Sequence, residues 1–86
     1  MKIIFHKNFE KQYGKLRSSE KEQFKERRDM FSEDEFNPIL HNHALKGKFT
    51  GYRSINIAGD LRAVYKSVGS TTVIFVAIDT HSNLYR

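Results

Sequence analysis

YRSINIAGDLRAVYKSVGSTTVIFVAIDT, residues 52–80, decides the fold. Tyr52 to Ala58 alternates, with Ile55 and Ile57 on one side and Ser54 and Asn56 on the other, the period of a half-buried strand. Gly59-Asp60 marks a tight turn. Leu61 to Lys66 then alternates again, Leu61, Ala63 and Tyr65 against Arg62, Val64 and Lys66. Val68-Gly69-Ser70 is a second turn. Thr71 to Thr80 is rich in β-branched and aromatic residues and long enough for a central strand. Three strands joined by short turns predict an antiparallel meander.

Working outward, the period changes on the N-terminal side. Lys2 to His6 is a short apolar run and a first strand. Asn8 is a candidate cap for a helix in which Phe9, Tyr13 and Leu16 form one apolar face. Ser19 lies three residues before Glu22, the spacing of a capping box, and opens a second helix from about Glu20 to Phe31. Phe24 and Phe31 are its buried side. Its charged residues make a solvated face with pairs at helical spacing. Ser32 to Asn42 is a turn-rich link containing the sole proline, Pro38. The expected order is β-α-α-β-β-β: an α+β domain with a helical hairpin on one face of a mostly antiparallel four-stranded sheet.

Length and composition bound the rest. With 86 residues the chain has room for one domain, 1–86. The longest apolar run, Val73 to Ile78, is too short to span a bilayer, and the N-terminus lacks the apolar stretch of a signal peptide. A cytoplasmic protein without a membrane partner is expected. Cysteine is absent, which removes disulfides, Cys-based metal sites and thiol nucleophiles. The net charge of +5 is unevenly placed. Residues 1–43 carry nine basic and eight acidic groups, residues 44–86 six basic and two acidic. The second half therefore has a basic surface, which attracts polyanions.

The chemistry-bearing groups also lie in that half. His43 precedes the second strand, Asp60 sits in the hairpin turn, and His81 follows the last strand with Tyr85 four residues on. Two imidazoles, a carboxylate and nearby cations satisfy the needs of metal-free RNA cleavage. A base takes the 2′-hydroxyl proton, an acid protonates the departing 5′-oxygen, and cations stabilise the phosphorane-like charge. Imidazole serves both proton roles because it titrates near neutrality. Arg62 can grip a phosphate with two parallel hydrogen bonds. Each residue also has a plain structural explanation: loop histidines, a turn aspartate, an exposed strand arginine. His6 and His41 are assigned no functional role. No third ligand supports a metal site at His41 and His43, so neither metal nor cofactor is expected.

Three segments carry a resemblance: His43-Ala44-Leu45-Lys46-Gly47 with Gly51-Tyr52-Arg53, Gly59-Asp60-Leu61-Arg62-Ala63-Val64-Tyr65-Lys66, and Asp79-Thr80-His81-Ser82-Asn83-Leu84-Tyr85. Together they resemble the RelE/ParE superfamily of bacterial toxins, above all its YafQ branch. The resemblance implies a RelE-like fold and a toxin of a type II toxin–antitoxin system. It further implies a ribosome-dependent mRNA endonuclease, neutralised by a cognate antitoxin and meeting operator DNA only through that antitoxin. His43, Asp60 and His81 take the family's acid–base places, and Tyr85 its terminal aromatic place. Two positions depart from the YafQ pattern. Asn56 stands where a further histidine lies, and can orient a phosphate or hydroxyl but not shuttle a proton. Leu61 replaces a tryptophan. Arg62 resembles an arginine of RelE.

The resulting assignment has His43 or Asp60 activating the 2′-hydroxyl and His81 protonating the leaving oxygen. Arg62 binds phosphate, with Lys46 and Arg53 near the rim, and Tyr85 stacks on a base. Folding must then gather the imidazoles, the acid and the guanidinium into one pocket. A ParE-like gyrase-binding toxin, a small RNA-binding module and a decayed toxin that only represses its operon are the alternatives.

Overall fold

The meander forms as its alternation requires. In the computed structural model, which describes residues 1–85, β3 (Arg53–Ala58), β4 (Leu61–Val68) and β5 (Thr72–Thr80) pair antiparallel in sequence order. β1 (Lys2–Phe5) adds to the outer edge of β5, parallel, with Phe5 opposite Phe75. On the other edge β2 (His43–Ala44) pairs antiparallel with β3. The sheet therefore has five strands in the order β1-β5-β4-β3-β2, not four. A two-residue strand is too short to show alternation, so no pattern in the residues announces β2.

One face of the sheet is closed by α1 (Lys7–Gly14) and α2 (Ser18–Glu33). Phe75 lies at the centre of the contact. The rings of Phe5, Phe9, Phe24, Phe31 and Tyr65 surround it at centroid distances of 5.4–6.0 Å. Ile55, Ile57, Leu61, Ala63 and Ile78 complete this core. Burial of these side chains is what holds the short helices down, since helices of this length are marginal alone.

The caps differ from expectation. His6, not Asn8, caps α1: its Nδ1 accepts from the Asn8 backbone N–H at 3.0 Å. The Asn8 side chain is needed elsewhere. β1 stops at Phe5 while β5 runs on to Thr80, and β5 bulges between its pairings at Phe75 and Ala77. Asn8 Nδ2 donates to the Val76 carbonyl (2.9 Å), and Gln12 Oε1 accepts from the Ile78 N–H (2.9 Å). Side chains of α1 thus replace the missing neighbour strand. α2 starts one residue before Ser19, with Arg17 at the cap. The Arg17 N–H donates to Glu20 Oε1 at 3.0 Å, so Glu20 fills the capping role expected of Glu22.

A short helix, α3 (His81–Leu84), follows β5 and is not apparent in the sequence. Together with a 3-10 turn at Gly47–Phe49 it covers part of the second sheet face. Leu84, Val64 and Ala77 are buried there, packed by Leu45, Phe49, Tyr52, Val76 and Tyr85. Among the described residues no helix is long and apolar enough to cross a membrane.

Candidate active site

Strand register sorts the site residues by face. Arg53 lies opposite Tyr65 and beside Ile55, toward the helices. Ser54 pairs with Val64 and Asn56 with Arg62, toward the second face; Arg62 in turn pairs with Asp79. His43 is the register partner of Ser54, which brings it to the same face. The second face therefore bears His43, Asn56, Arg62 and Asp79 on four neighbouring strands.

α3 brings the remaining groups. The Thr80 side chain caps it by accepting from the Asn83 N–H, and the His81 N–H donates to the Asp60 carbonyl at 2.8 Å. That bond ties the start of α3 to the β3–β4 turn and sets His81 next to Asp60. Gly59, at φ +52°, gives the turn the left-handed residue it requires. The His81 ring lies 4.7 Å from the Tyr85 ring, tilted by 56°. Tyr85 also meets Phe49 edge-on at 5.9 Å. Among the described residues its hydroxyl is buried without a partner, as is that of Ser54.

The hydrogen bonds define what each group can do. His43 is exposed, and its Nδ1 lies 2.9 Å from the His41 carbonyl. A carbonyl only accepts, so Nδ1 carries the proton and the neutral ring presents its lone pair at Nε2. Arg62 donates from Nη1 to the carbonyls of Gly59 (2.8 Å) and Leu61 (3.3 Å). Among the described residues its Nε and Nη2 have no acceptor, which leaves those hydrogens to meet an anion. Asp79 Oδ1 accepts from the Thr80 N–H and from Asn83 Nδ2, which ties the end of β5 to α3. Lys46 is exposed at the start of the 3-10 turn.

His43 and His81 do not touch. His43 is level with the Ser54–Val64–Ala77 row on β2, whereas His81 follows the end of β5, beyond the Asn56–Arg62–Asp79 row and three strands away, on the order of 14 Å across the sheet alone. The single pocket expected from sequence therefore does not gather the two imidazoles: His81 and Asp60 stand together, and His43 stands apart. Arg53 is not at the rim. It lies on the helical side, where its Nε donates to Asn42 Oδ1 (2.7 Å) and its guanidinium sits 5.2 Å from the Phe36 ring centre. Of the other sequence-derived residues, His43, Asn56 and Arg62 lie on the second face by register, Asp60 and His81 at its end, and Tyr85 packs on it; Lys46 is exposed before the 3-10 turn.

The largest groove, about 670 Å³, holds none of the three acid–base candidates. It runs along β5 on the same face and is walled by Lys48, Phe49, Tyr52 and Lys66 over a floor that includes Ile74 and Val76. Lys48 lies 5.4 Å from the Phe49 ring centre and Lys66 5.4 Å from that of Tyr52. Pocket volume follows concavity, whereas proton transfer depends on polar groups within reach of the reacting atoms, so groove size alone does not select the catalytic residues. Reasoning from sequence missed Lys48, Lys66, Phe49 and Tyr52. The outward parity of Lys66 in β4 is the signal that marks one of them.

A helix-backed sheet with its polar groups on the open face is the architecture of the RelE-like bacterial toxins. The chain belongs to the YafQ family, bacterial toxins of type II toxin–antitoxin systems, whose family model matches residues 1–86. Three solved structures share the fold. YafQ from Escherichia coli BL21(DE3) is 17% identical with a TM-score of 0.82, covering 98% of this chain and 97% of its own. A Helicobacter pylori toxin solved as a copper-bound mutant is 27% identical at TM-score 0.74, covering 98% of each chain. The E. coli DinJ–YafQ toxin–antitoxin complex matches at 18% identity and TM-score 0.79, covering 98% of this chain and 96% of that one. No curated protein matches the chain.

Proposed function

We propose that this toxin is a ribosome-dependent mRNA endonuclease that works by metal-free acid–base chemistry. The observation that carries the reading is the shared face: His43 with its Nε2 lone pair outward, Arg62 with free guanidinium hydrogens, and His81 beside Asp60. Either His43 Nε2 or Asp60, whose carbonyl accepts from the His81 N–H, takes the proton of a 2′-hydroxyl; with His43 as base, the gap to His81 has to close around the bound strand. The 2′-oxygen attacks the adjacent phosphorus, a 2′,3′-cyclic phosphate forms, and the bond to the 5′-oxygen breaks. His81 in its protonated form gives its proton to that oxygen. Arg62 holds the non-bridging oxygens, Asn56 orients the phosphate or the hydroxyl, and Lys46 meets a flanking phosphate. Tyr85 offers its ring to a base, a contact worth about 1–3 kcal/mol.

Under this reading the basic second half docks on ribosomal RNA. The E. coli relative was solved as a toxin–antitoxin complex, which supports a cognate antitoxin as the protein partner here. The test is single-turnover cleavage of mRNA on a programmed ribosome. His81→Ala is expected to slow cleavage by about 100-fold or more, within the range for a lost general acid. Parental rates in His81→Ala overturn the acid role. Arrest of DNA replication before translation, with intact mRNA 5′ ends, overturns the nuclease reading in favour of gyrase poisoning.

A further inference from the structure

Four side chains form a hydrogen-bonded chain behind His43, on the helical side of the sheet. Arg53 Nε donates to Asn42 Oδ1 at 2.7 Å. Asn42 Nδ2 donates to the Tyr65 hydroxyl at 2.7 Å and to the Glu35 carbonyl at 3.0 Å. The Tyr65 hydroxyl donates to Glu35 Oε2 at 2.6 Å. The Asn42 amide has one orientation only, because a guanidinium cannot accept and a carbonyl cannot donate. Tyr65 is itself fixed, fully buried with its ring 4.8 Å from that of Phe31 and 5.4 Å from that of Phe75.

The chain ends at the residue before His43. In extended backbone, successive side chains point to opposite faces. Clamping Asn42 from the rear therefore presents His43 at the front. β2 is only two residues long, so the clamp adds to its pairing with β3 in holding the direction of His43. The residue before Asn42 is under constraint as well. His41 has φ 47° and ψ 46°, the left-handed region that non-glycine residues rarely enter. That conformation brings the His41 carbonyl to 2.9 Å from His43 Nδ1. Strained backbone persists only where its surroundings over-determine it, and here the Asn42 bonds supply the determination.

We propose that the Glu35–Tyr65–Asn42–Arg53 chain is a positioning device for His43: by clamping Asn42 it holds the His41 carbonyl against Nδ1 and keeps Nε2 as the proton-accepting nitrogen. The proposal rests on the reading of His43 as a proton carrier. Arg53, expected from sequence to be a phosphate ligand, acts here through Asn42 and touches no substrate.

The test is the imidazole nitrogen spectrum of His43 in the free protein, read by long-range 1H–15N correlation. The parent is expected to show one dominant tautomer with hydrogen on Nδ1. Asn42→Ala is expected to show a mixture. On the programmed ribosome the same variant should lose about 10- to 100-fold in kcat with little change in KM, of the order seen when an orienting partner is removed from a metal-bound histidine. Tyr65→Phe keeps the packed ring and removes only the hydroxyl, so it repeats the measurement should Asn42→Ala fail to fold. Unchanged His43 nitrogen shifts in a folded variant overturn the proposal, even if activity falls. Parental cleavage by His43→Ala overturns the reading of His43 instead, and leaves the tautomer result standing on its own.

Discussion

Among the described residues the Tyr65 hydroxyl is the most strongly perturbed titrating group. Burial first, and the hydrogen bond to Glu35 second, push its pKa well above the ordinary value of 10.0. The folded state thus favours the protonated phenol more than the unfolded chain does. Its contribution to stability is complete below pH 10 and is lost as pH rises beyond it. Tyr65→Phe leaves the Asn42 amide and the Glu35 carboxylate short of a partner. It is expected to lower unfolding free energy by about 1–3 kcal/mol at pH 7, the range for leaving a buried hydrogen-bonding group unsatisfied. The parent should lose stability between about pH 10 and 12 more steeply than the variant. Urea unfolding across that range measures both effects, and parallel curves contradict the assignment. Arg53 belongs to the same scale. The alternation that sets Ile55 and Ile57 inward puts Arg53 on their side, so its place is legible. The Gly51-Tyr52-Arg53 motif points to the rim instead, and parity overrides it. The αL turn at His41 is not legible, because nothing in the residue types at 41–43 specifies it.

At the scale of elements, the long strands and both helices announce themselves by period, and the pieces that complete the site do not. β2 and α3 have two and four residues, about one period each, too few to show a repeat. Tertiary bonds create them: β2 by pairing with β3, α3 by the Asp60 carbonyl and the Thr80 cap. The helix starts follow the same logic. Ser19 and Glu22 have capping-box spacing, yet Arg17 and Glu20 occupy the roles because α2 begins earlier. This shift has a measurable sign. The Arg17 backbone N–H, then its guanidinium, lowers the Glu20 pKa below its usual 4.5. A lowered folded pKa gives stability that is present above pH 4.5 and lost as pH falls through the folded value. Amides of residues 17–20 should therefore exchange faster with solvent as pH drops below 4.5, beyond the intrinsic pH dependence. Glu20→Gln should remove that extra change, whereas Glu22→Gln should retain it. The reverse result places the cap at Ser19.

At the scale of the whole molecule, the two sheet faces divide the work. One is covered by α1 and α2 and carries the aromatic core. The other carries His43, Asn56, Arg62 and, past α3, the groove with Lys48 and Lys66. Among the described residues, the ion pairs formed are Arg17–Glu20, Lys25–Glu22 and Arg28–Asp29, all on or beside α2. None of them draws on the basic second half, whose Lys48 and Lys66 lie over aromatic rings on this face. Amines over aromatic rings, beside an apolar floor, suit a single strand whose phosphates and bases alternate. Lys48→Ala with Lys66→Ala is accordingly expected to weaken binding of a ribosome-free, non-cleavable RNA oligonucleotide. Removing one amine–phosphate pairing should flatten the slope of log affinity against log salt by about 0.7. The double variant should flatten it by about 1.4 if both amines meet phosphate. His81→Ala removes no lysine or arginine charge and should leave that slope near the parental value. Fluorescence anisotropy across a series of salt concentrations separates the two classes. An unchanged slope in the double-lysine variant removes the groove from the RNA path and confines substrate to the histidine side of α3.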